Sequence, residues 1–179
     1  MLRRAWLPVG LAVLVLAGCS KPNPPKVLPP TIDGNTLPSA AIAALDEKWP
    51  KKGWQITSVD PQVASCLPKA NPAKEVVTAD FDSDGMSDIA ATVLTPTGVR
   101  LVVLMARTWG YDIYDVDSLG DKVSTVSLGL EPRGKRYSNL TAGLTNNYSA
   151  DAITTFVCGT TRVSYLWSGN GYYKVLVAK

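Results

Sequence analysis

The most informative absence in this 179-residue chain is histidine, which does not occur at all. Without an imidazole the chain has no Ser-His-Asp or Cys-His catalytic arrangement, no histidine ligand for zinc and no histidine proton shuttle. Long basic runs are also missing, so the sequence offers no row of cations for a nucleic-acid backbone. We therefore expect neither a histidine-dependent enzyme nor a nucleic-acid-binding protein.

Apolar runs long enough to cross a membrane are missing as well. One extended apolar stretch covers residues 5–16 and follows Arg3 and Arg4. A helix needs about 20 apolar residues to span the hydrocarbon core, so this stretch is too short. Its length and its positive flank are typical of the apolar region of a secretory signal peptide.

The stretch ends in Leu16-Ala17-Gly18-Cys19, which resembles the lipobox of bacterial lipoproteins. The resemblance implies a diacylglyceryl thioether on Cys19, cleavage after Gly18 and acylation of the new N-terminus. Residue 20 is Ser20 and not the Asp associated with inner-membrane retention in Gram-negative lipoproteins. The resemblance therefore implies a lipid anchor in the outer membrane, with the chain facing the periplasm. The alternative is an ordinary signal peptide with an incidental cysteine.

Three segments follow from this interpretation. Residues 1–18 form the signal peptide, and their removal takes away Arg3, Arg4 and no acid, which lowers the formal net charge from +3 to +1. Residues 19–30 form a lipidated tether, because half of residues 21–30 are proline and such segments favour an extended, semi-rigid conformation. Residues 31–179 are enough for a single domain with a hydrophobic core.

Cysteine is scarce, with three residues in the chain. If Cys19 holds lipid, Cys66 and Cys158 remain, and in an oxidising periplasm we expect them to form a disulfide. That bond would close a loop of about 90 residues, worth about 4–5 kcal/mol in the loop-entropy model. The alternative is a pair of reactive thiols, although neither cysteine lies in a CxxC motif.

The pattern of residues predicts a mainly β domain with one N-terminal helix. Residues 37–49 are rich in alanine with apolar positions at helical spacing, with Ser39 as a candidate cap and Pro50 as the end. Residues 131–147 are polar and glycine-rich, which predicts a long loop. Short β-branched runs about ten residues apart predict antiparallel hairpins and meanders in a small α+β domain. The predicted strands are residues 75–79, 89–94, 99–106, 111–116, 122–128, 152–158, 161–167 and 172–177.

The segment between the first two predicted strands has the composition of a cation-binding loop. Alternate side chains of a flexible loop can present oxygens to one hard cation at about 2.3–2.6 Å. Gly85 stands at loop position 6, where the chain must turn sharply, and Met86 at position 7 offers its backbone carbonyl. Four aspartates stand at loop positions 1, 3, 5 and 9: Asp80, Asp82, Asp84 and Asp88.

Residues 78–93 (TADFDSDGMSDIAATV) resemble the calcium loop of FG-GAP and VCBS repeats. The resemblance implies that the four aspartate side chains and the Met86 carbonyl bind Ca²⁺. An EF-hand does not fit, because Ala91 stands where that motif needs a bidentate Glu. Propellers contain many such repeats and this chain has one, so the resemblance does not extend to a propeller. The alternatives are a hairpin tip with solvated acids, or Mg²⁺, which demands stricter octahedral geometry.

These features predict a non-enzymatic lipoprotein of the cell envelope whose calcium-stabilised β domain binds a protein or glycan partner. One alternative is a periplasmic inhibitor or immunity protein against a lysozyme-like or cell-wall-degrading toxin, with residues 131–147 as a candidate insertion. It depends on similarity to envelope lipoproteins that contain single calcium loops of this type. A calcium-dependent hydrolase is disfavoured, because all four aspartates would be occupied as ligands.

Overall fold

The computed structural model describes residues 37–51, 53–67, 73–122, 124–159 and 162–177. The predicted signal peptide (residues 1–18), the tether (residues 19–30) and the lipidated Cys19 lie outside the described residues. Within the described ranges, neither helix has the length and apolar character needed to cross a membrane.

Two helices and eleven strands make up the described part of the chain. The helices are α1 (Ser39–Lys48) and α2 (Pro61–Cys66). The strands are β1 (Gln55–Ile56), β2 (Val76–Ala79), β3 (Asp88–Thr95), β4 (Gly98–Arg107), β5 (Gly110–Gly120), β6 (Ser127–Glu131), β7 (Arg136–Asn139), β8 (Leu144–Asn147), β9 (Ala152–Phe156), β10 (Arg162–Trp167) and β11 (Tyr172–Val177).

The strands form two antiparallel sheets. The first has the order β1-β3-β4-β5, and β2 also pairs with β3, on the same edge as β1. The second has the order β6-β9-β10-β11-β7-β8. The prediction of a mainly β domain built from antiparallel hairpins, with one N-terminal helix, is therefore confirmed.

The first sheet is buried on both faces. Side chains alternate along a strand, so Leu101 and Val103 face one core while Val102 and Leu104 face the other. One core fills the space between the two sheets, and the other lies between the first sheet and α1, to which the helix contributes Ala41 and Leu45. Burial on both faces explains why β3 and β4 appear in the sequence as nearly continuous apolar runs.

The prediction of a long loop over residues 131–147 is wrong, because β7 and β8 form a hairpin there. Every residue of β8 is exposed, so its sequence lacks the alternation that marks a half-buried strand. The side chain of Asn139 shapes the turn by accepting hydrogen bonds from the backbone amides of Thr141 and Ala142, each 3.0 Å long. Pairing of β7 with β11 joins the hairpin to the second sheet.

The proposed cap of α1 is also wrong. Ser39 is the first helical residue, Pro38 occupies the cap position, and no side chain caps this end. Packing of Ala41 and Leu45 against the first sheet holds the helix instead, since these residues lie four apart and share one face.

A disulfide joins Cys66, the last residue of α2, to Cys158, which follows β9. The two Cα atoms are 5.8 Å apart and the residues are separated by 92 positions. The bond therefore links α2, which lies between β1 and β2 in the chain, to the end of β9 in the second sheet.

Candidate metal centre

The loop between β2 and β3 folds around the carboxylate of Asp80. Its Oδ1 accepts a hydrogen bond from the amide of Asp84 (3.1 Å), and its Oδ2 accepts one from the amide of Gly85 (3.0 Å). Gly85 has a φ of +85°, a left-handed conformation that a residue with a Cβ adopts only with strain. The sharp turn expected at this glycine is present.

The loop is fixed to the rest of the domain at two points. Phe81 is completely buried in the core between the sheets. Asp88 is also fully buried, and its two carboxylate oxygens accept hydrogen bonds from the amides of Phe81 (2.9 Å) and Ala106 (2.8 Å). Through Ala106, Asp88 connects the loop to β4. These contacts tie the loop to the core and to β4.

Burial sets the electrostatics of Asp88. Removal from water raises the pKa of its carboxyl group to about 6, although the amides of Ala106 and Phe81 favour the charged form. The nearby charges of Asp82 and Asp84 raise the pKa further. An ionised Asp88 is therefore costly in the protein unless a cation lies beside it.

Three of the predicted ligands converge. Carboxylate oxygens of Asp80, Asp82 and Asp88 all lie within 4.8 Å of one another. Ligands on opposite sides of one calcium ion are about 4.6–5.2 Å apart, twice the usual Ca–O distance. The three side chains therefore fit a single hard cation bound through oxygen, which is the donor chemistry that calcium takes.

The other two predicted ligands make different contacts. Oδ2 of Asp84 accepts a hydrogen bond from Arg107 (3.0 Å), and its Oδ1 accepts one from the amide of Met86 (2.8 Å). The backbone amide of Met86 therefore hydrogen-bonds to the Asp84 side chain within the same loop. The backbone amide of Asp84 thus lies beside Asp80 and Asp82, and its side chain, like that of Asp82, pairs with a guanidinium.

Arg107, at the end of β4, is the site residue that the sequence prediction missed. Its Nη1 donates to Oδ2 of Asp82 (2.9 Å) as well as to Asp84, and its Nε donates to Oδ2 of Asp112 (3.0 Å). Burial lowers the pKa of the guanidinium, but hydrogen bonds to Asp82 and Asp112 outweigh it and raise the pKa above its ordinary value. Arg107 is thus a permanent cation at the rim of the acidic loop.

The register of the β3–β4 hairpin places Arg107 beside the loop. The β3–β4 ladder pairs Thr95 with Gly98 and Ile89 with Leu104. Three more positions along the same hairpin bring Arg107 opposite Met86, inside the loop. The turn at residues 96–97 was recognisable in the sequence, so the signal was present.

Comparison with known proteins finds no matching protein family, no matching curated protein and no matching solved structure. Carboxylates and one guanidinium provide ligands and charge compensation for a cation, and the cluster contains no thiol or imidazole nucleophile.

Proposed function

We propose that this chain is a non-enzymatic lipoprotein of the cell envelope, in which Ca²⁺ stabilises a β domain that binds a protein or glycan partner. The observation that carries the proposal is the convergence of Asp80, Asp82 and Asp88 within 4.8 Å. In this proposal those three side chains hold the ion, and the Asp84 side chain and the Met86 carbonyl are further candidate ligands from the sequence pattern.

The role of the ion is structural. Phe81 and Asp88 already tie the loop to the core and to β4. A divalent cation adds the charge compensation that the loop lacks, because Arg107 supplies one positive charge against four aspartates. Calcium would therefore lower the cost of ionising the buried Asp88 and stabilise the junction between β2 and β3.

The envelope location depends on the sequence around Cys19 and on the disulfide. The motif Leu16-Ala17-Gly18-Cys19 supports attachment to the outer membrane through lipid on Cys19. A disulfide between Cys66 and Cys158 is typical of proteins outside the reducing cytosol. We therefore place the domain on the periplasmic side of the membrane, at the end of the proline-rich tether.

Thermal unfolding of the full chain tests the metal site. Calcium at a hundred times its dissociation constant stabilises a folded protein by about 2.7 kcal/mol, which corresponds to a rise in Tm of about 5–10 °C for a chain of this size. The rise should disappear when a chelator is added. It should also disappear when Asp82→Ala and Asp84→Ala are combined.

Asp115→Ala is the matched control, because Asp115 is a partly exposed aspartate on β5 that pairs with Arg100, away from the loop. This variant should keep the full calcium response. An unchanged Tm of the wild-type chain at millimolar calcium would overturn the metal proposal.

A further inference from the structure

The turn between β4 and β5 presents an exposed tryptophan at one end of the first sheet. Trp109 is 77% exposed, more than any other large apolar side chain among the described residues. It forms the turn together with Thr108, because Arg107 and Gly110 are the last pair of the β4–β5 ladder. An indole ring combines a large apolar surface with one N–H donor, which suits a place where one side is apolar and the other is wet. The tip of this hairpin therefore fits a boundary between water and an apolar phase.

The same end of the sheet holds the metal loop. Arg107, which precedes the turn, donates hydrogen bonds to Asp82 and Asp84 of the loop, at 2.9 and 3.0 Å. Asp112, which follows the turn, accepts a 3.0 Å hydrogen bond from the same guanidinium. The two flanks of the turn are therefore tied to each other and to the loop. Little order is lost when Trp109 meets a surface, which favours docking through this residue.

Helix α1 ends far from this turn. A Cβ built on Gly53 would lie 3.7 Å from the carbonyl oxygen of Trp49, which follows α1, and 3.7 Å from Cγ of Pro96. Pro96 lies in the β3–β4 turn, between Thr95 and Gly98. The C-terminal end of α1 is therefore at the opposite end of the first sheet from the metal loop.

The start of α1 covers the sheet beside the metal loop. Ile89 and Leu104 pair next to the loop and are at most 1% exposed. Among the described residues, the members of their core that lie outside the first sheet all belong to residues 37–54. Because α1 ends at the far turn, Leu37 and Ala41 are the members that cover this pair. The chain therefore enters the domain at the end that holds the metal loop.

The length of chain before Leu37 allows this end to meet the membrane. In the proposed function lipid on Cys19 holds the chain, and Leu37 lies 18 positions further on. A chain of this length spans at most about 60 Å, whereas a domain of this size has a diameter of about 40 Å. The anchor would therefore keep Trp109 close to the bilayer at a high effective concentration, so that a weak contact is sufficient.

We propose that the end of the first sheet that presents Trp109 docks on the bilayer that holds the lipid anchor, with the indole ring at the interface. Tryptophan favours this depth because its ring meets the acyl chains while its N–H stays among the polar headgroups. This proposal deepens the proposed function, on which it rests, by naming the membrane surface as a partner of the folded domain. The acids of the metal loop oppose docking on anionic lipid, so docking is measured with calcium, which offsets part of their charge.

Tryptophan fluorescence of the mature lipidated protein tests docking on vesicles of phosphatidylethanolamine and phosphatidylglycerol. Brominated lipids quench the tryptophans that reach the bilayer. Cleavage after Gly18 removes Trp6 and leaves four tryptophans, so quenching of Trp109 should remove about a quarter of the emission. Trp109→Phe should abolish the quenching. Trp54→Phe is the matched control and should keep it, because Trp54 donates a hydrogen bond to Asp46 of α1 and belongs to the far end of the sheet.

Two results would overturn the docking proposal. They are protein that is bound to vesicles but not quenched by brominated lipid, and quenching that persists unchanged in Trp109→Phe. Flotation of the same samples with the vesicles tests the lipid anchor and so separates the two proposals. Protein that floats without quenching rejects docking alone, whereas protein that does not float rejects both the anchor and the docking that rests on it.

Discussion

Nη1 of Arg107 lies 2.9 Å from Oδ2 of Asp82, so the end of β4 supplies a cation to the acidic loop between β2 and β3. The same nitrogen reaches Asp84 at 3.0 Å. A guanidinium in this position compensates part of the loop's charge when no metal is bound, and it repels a metal that binds beside it. Arg107 and calcium are therefore expected to act in opposition at Asp82.

Arg107→Ala should lower the stability of the calcium-free protein and raise its calcium affinity. The loss of stability should be about 1–3 kcal/mol, because three carboxylates lose a charged hydrogen-bond donor. Affinity should rise because a positive charge is removed from the edge of the site. Urea unfolding in chelator and a calcium titration measure the two effects.

Arg100→Ala is the control, since Arg100 pairs with Asp115 on the same hairpin at a partly exposed position. Such pairs contribute about 0–1 kcal/mol, so this variant should change neither quantity strongly. A fall in calcium affinity in Arg107→Ala would contradict the predicted opposition and would make Arg107 a residue that positions Asp82.

Phe81→Ala should weaken calcium binding as well as folding. Phe81 is fully buried between the sheets and belongs to the loop itself. Its truncation should cost about 3–5 kcal/mol of stability and loosen the backbone that presents Asp80 and Asp82. Leu45→Ala in α1 provides the comparison, with a cost of about 2–5 kcal/mol in the other core. Calcium affinity is measured by titration below the Tm of each variant. Equal affinity in the two variants would show that burial of Phe81 does not shape the calcium site.

Loss of the disulfide should destabilise the domain without altering the candidate metal centre. The combined Cys66→Ser and Cys158→Ser variant should lose about 2–5 kcal/mol, in line with the removal of a bond that spans 92 positions. Denaturant unfolding of this variant, compared with wild type in reductant, measures the effect. The variant and the reduced wild type should have the same free energy of unfolding. A stability equal to that of the oxidised wild type would refute the prediction.

The pH dependence of stability should contain a contribution from Asp117. Its Oδ2 accepts hydrogen bonds from the hydroxyl of Tyr165 (2.8 Å) and from Nζ of Lys174 (3.1 Å), which joins β5 to β10 and β11. Burial raises the pKa of the Asp117 carboxyl, but these two hydrogen bonds outweigh it and hold the pKa below its usual range.

Because the pKa of Asp117 is lower in the folded state, the unfolded state binds the proton more readily. The stabilisation is therefore present above the pKa of the unfolded state, about 3.9, and is lost as the pH falls through the folded-state pKa. Asp117→Asn should be less stable than wild type at pH 7, and the difference should shrink below pH 4. Denaturant unfolding over this pH range measures it, with Asp115→Asn as the surface control. A stability difference between wild type and Asp117→Asn that stays constant down to acid pH would count against the predicted contribution of Asp117.

The elements that are best predicted from the sequence are those whose burial produces a recognisable pattern of apolar residues. The strands β3 and β4 are apolar because both faces of their sheet are covered. The hairpin of β7 and β8 was missed because its exposed side chains have no apolar alternation, and pairing at the edge of the second sheet holds it instead. The helix α2 was missed because it has six residues, although Asp60 and Pro61 mark its start.

The candidate metal centre was predictable in part for a related reason. Asp80, Asp82 and Asp88 lie within nine consecutive residues, so the local sequence was enough to suggest that their side chains converge. The pairing of Asp84 with Arg107 depends on the β3–β4 register, which local composition does not reveal.

The bond between Cys66 and Cys158 also determines how the domain responds to mechanical load. Tension applied between the two ends of the chain would pass through α1, β1 and α2 to residue 66, and then cross directly to residue 158. The chain between these two positions, which contains the metal loop and the β7–β8 hairpin, would bear none of it. A domain tethered at its N-terminal side could therefore lose its first helix under force and still keep the metal loop folded.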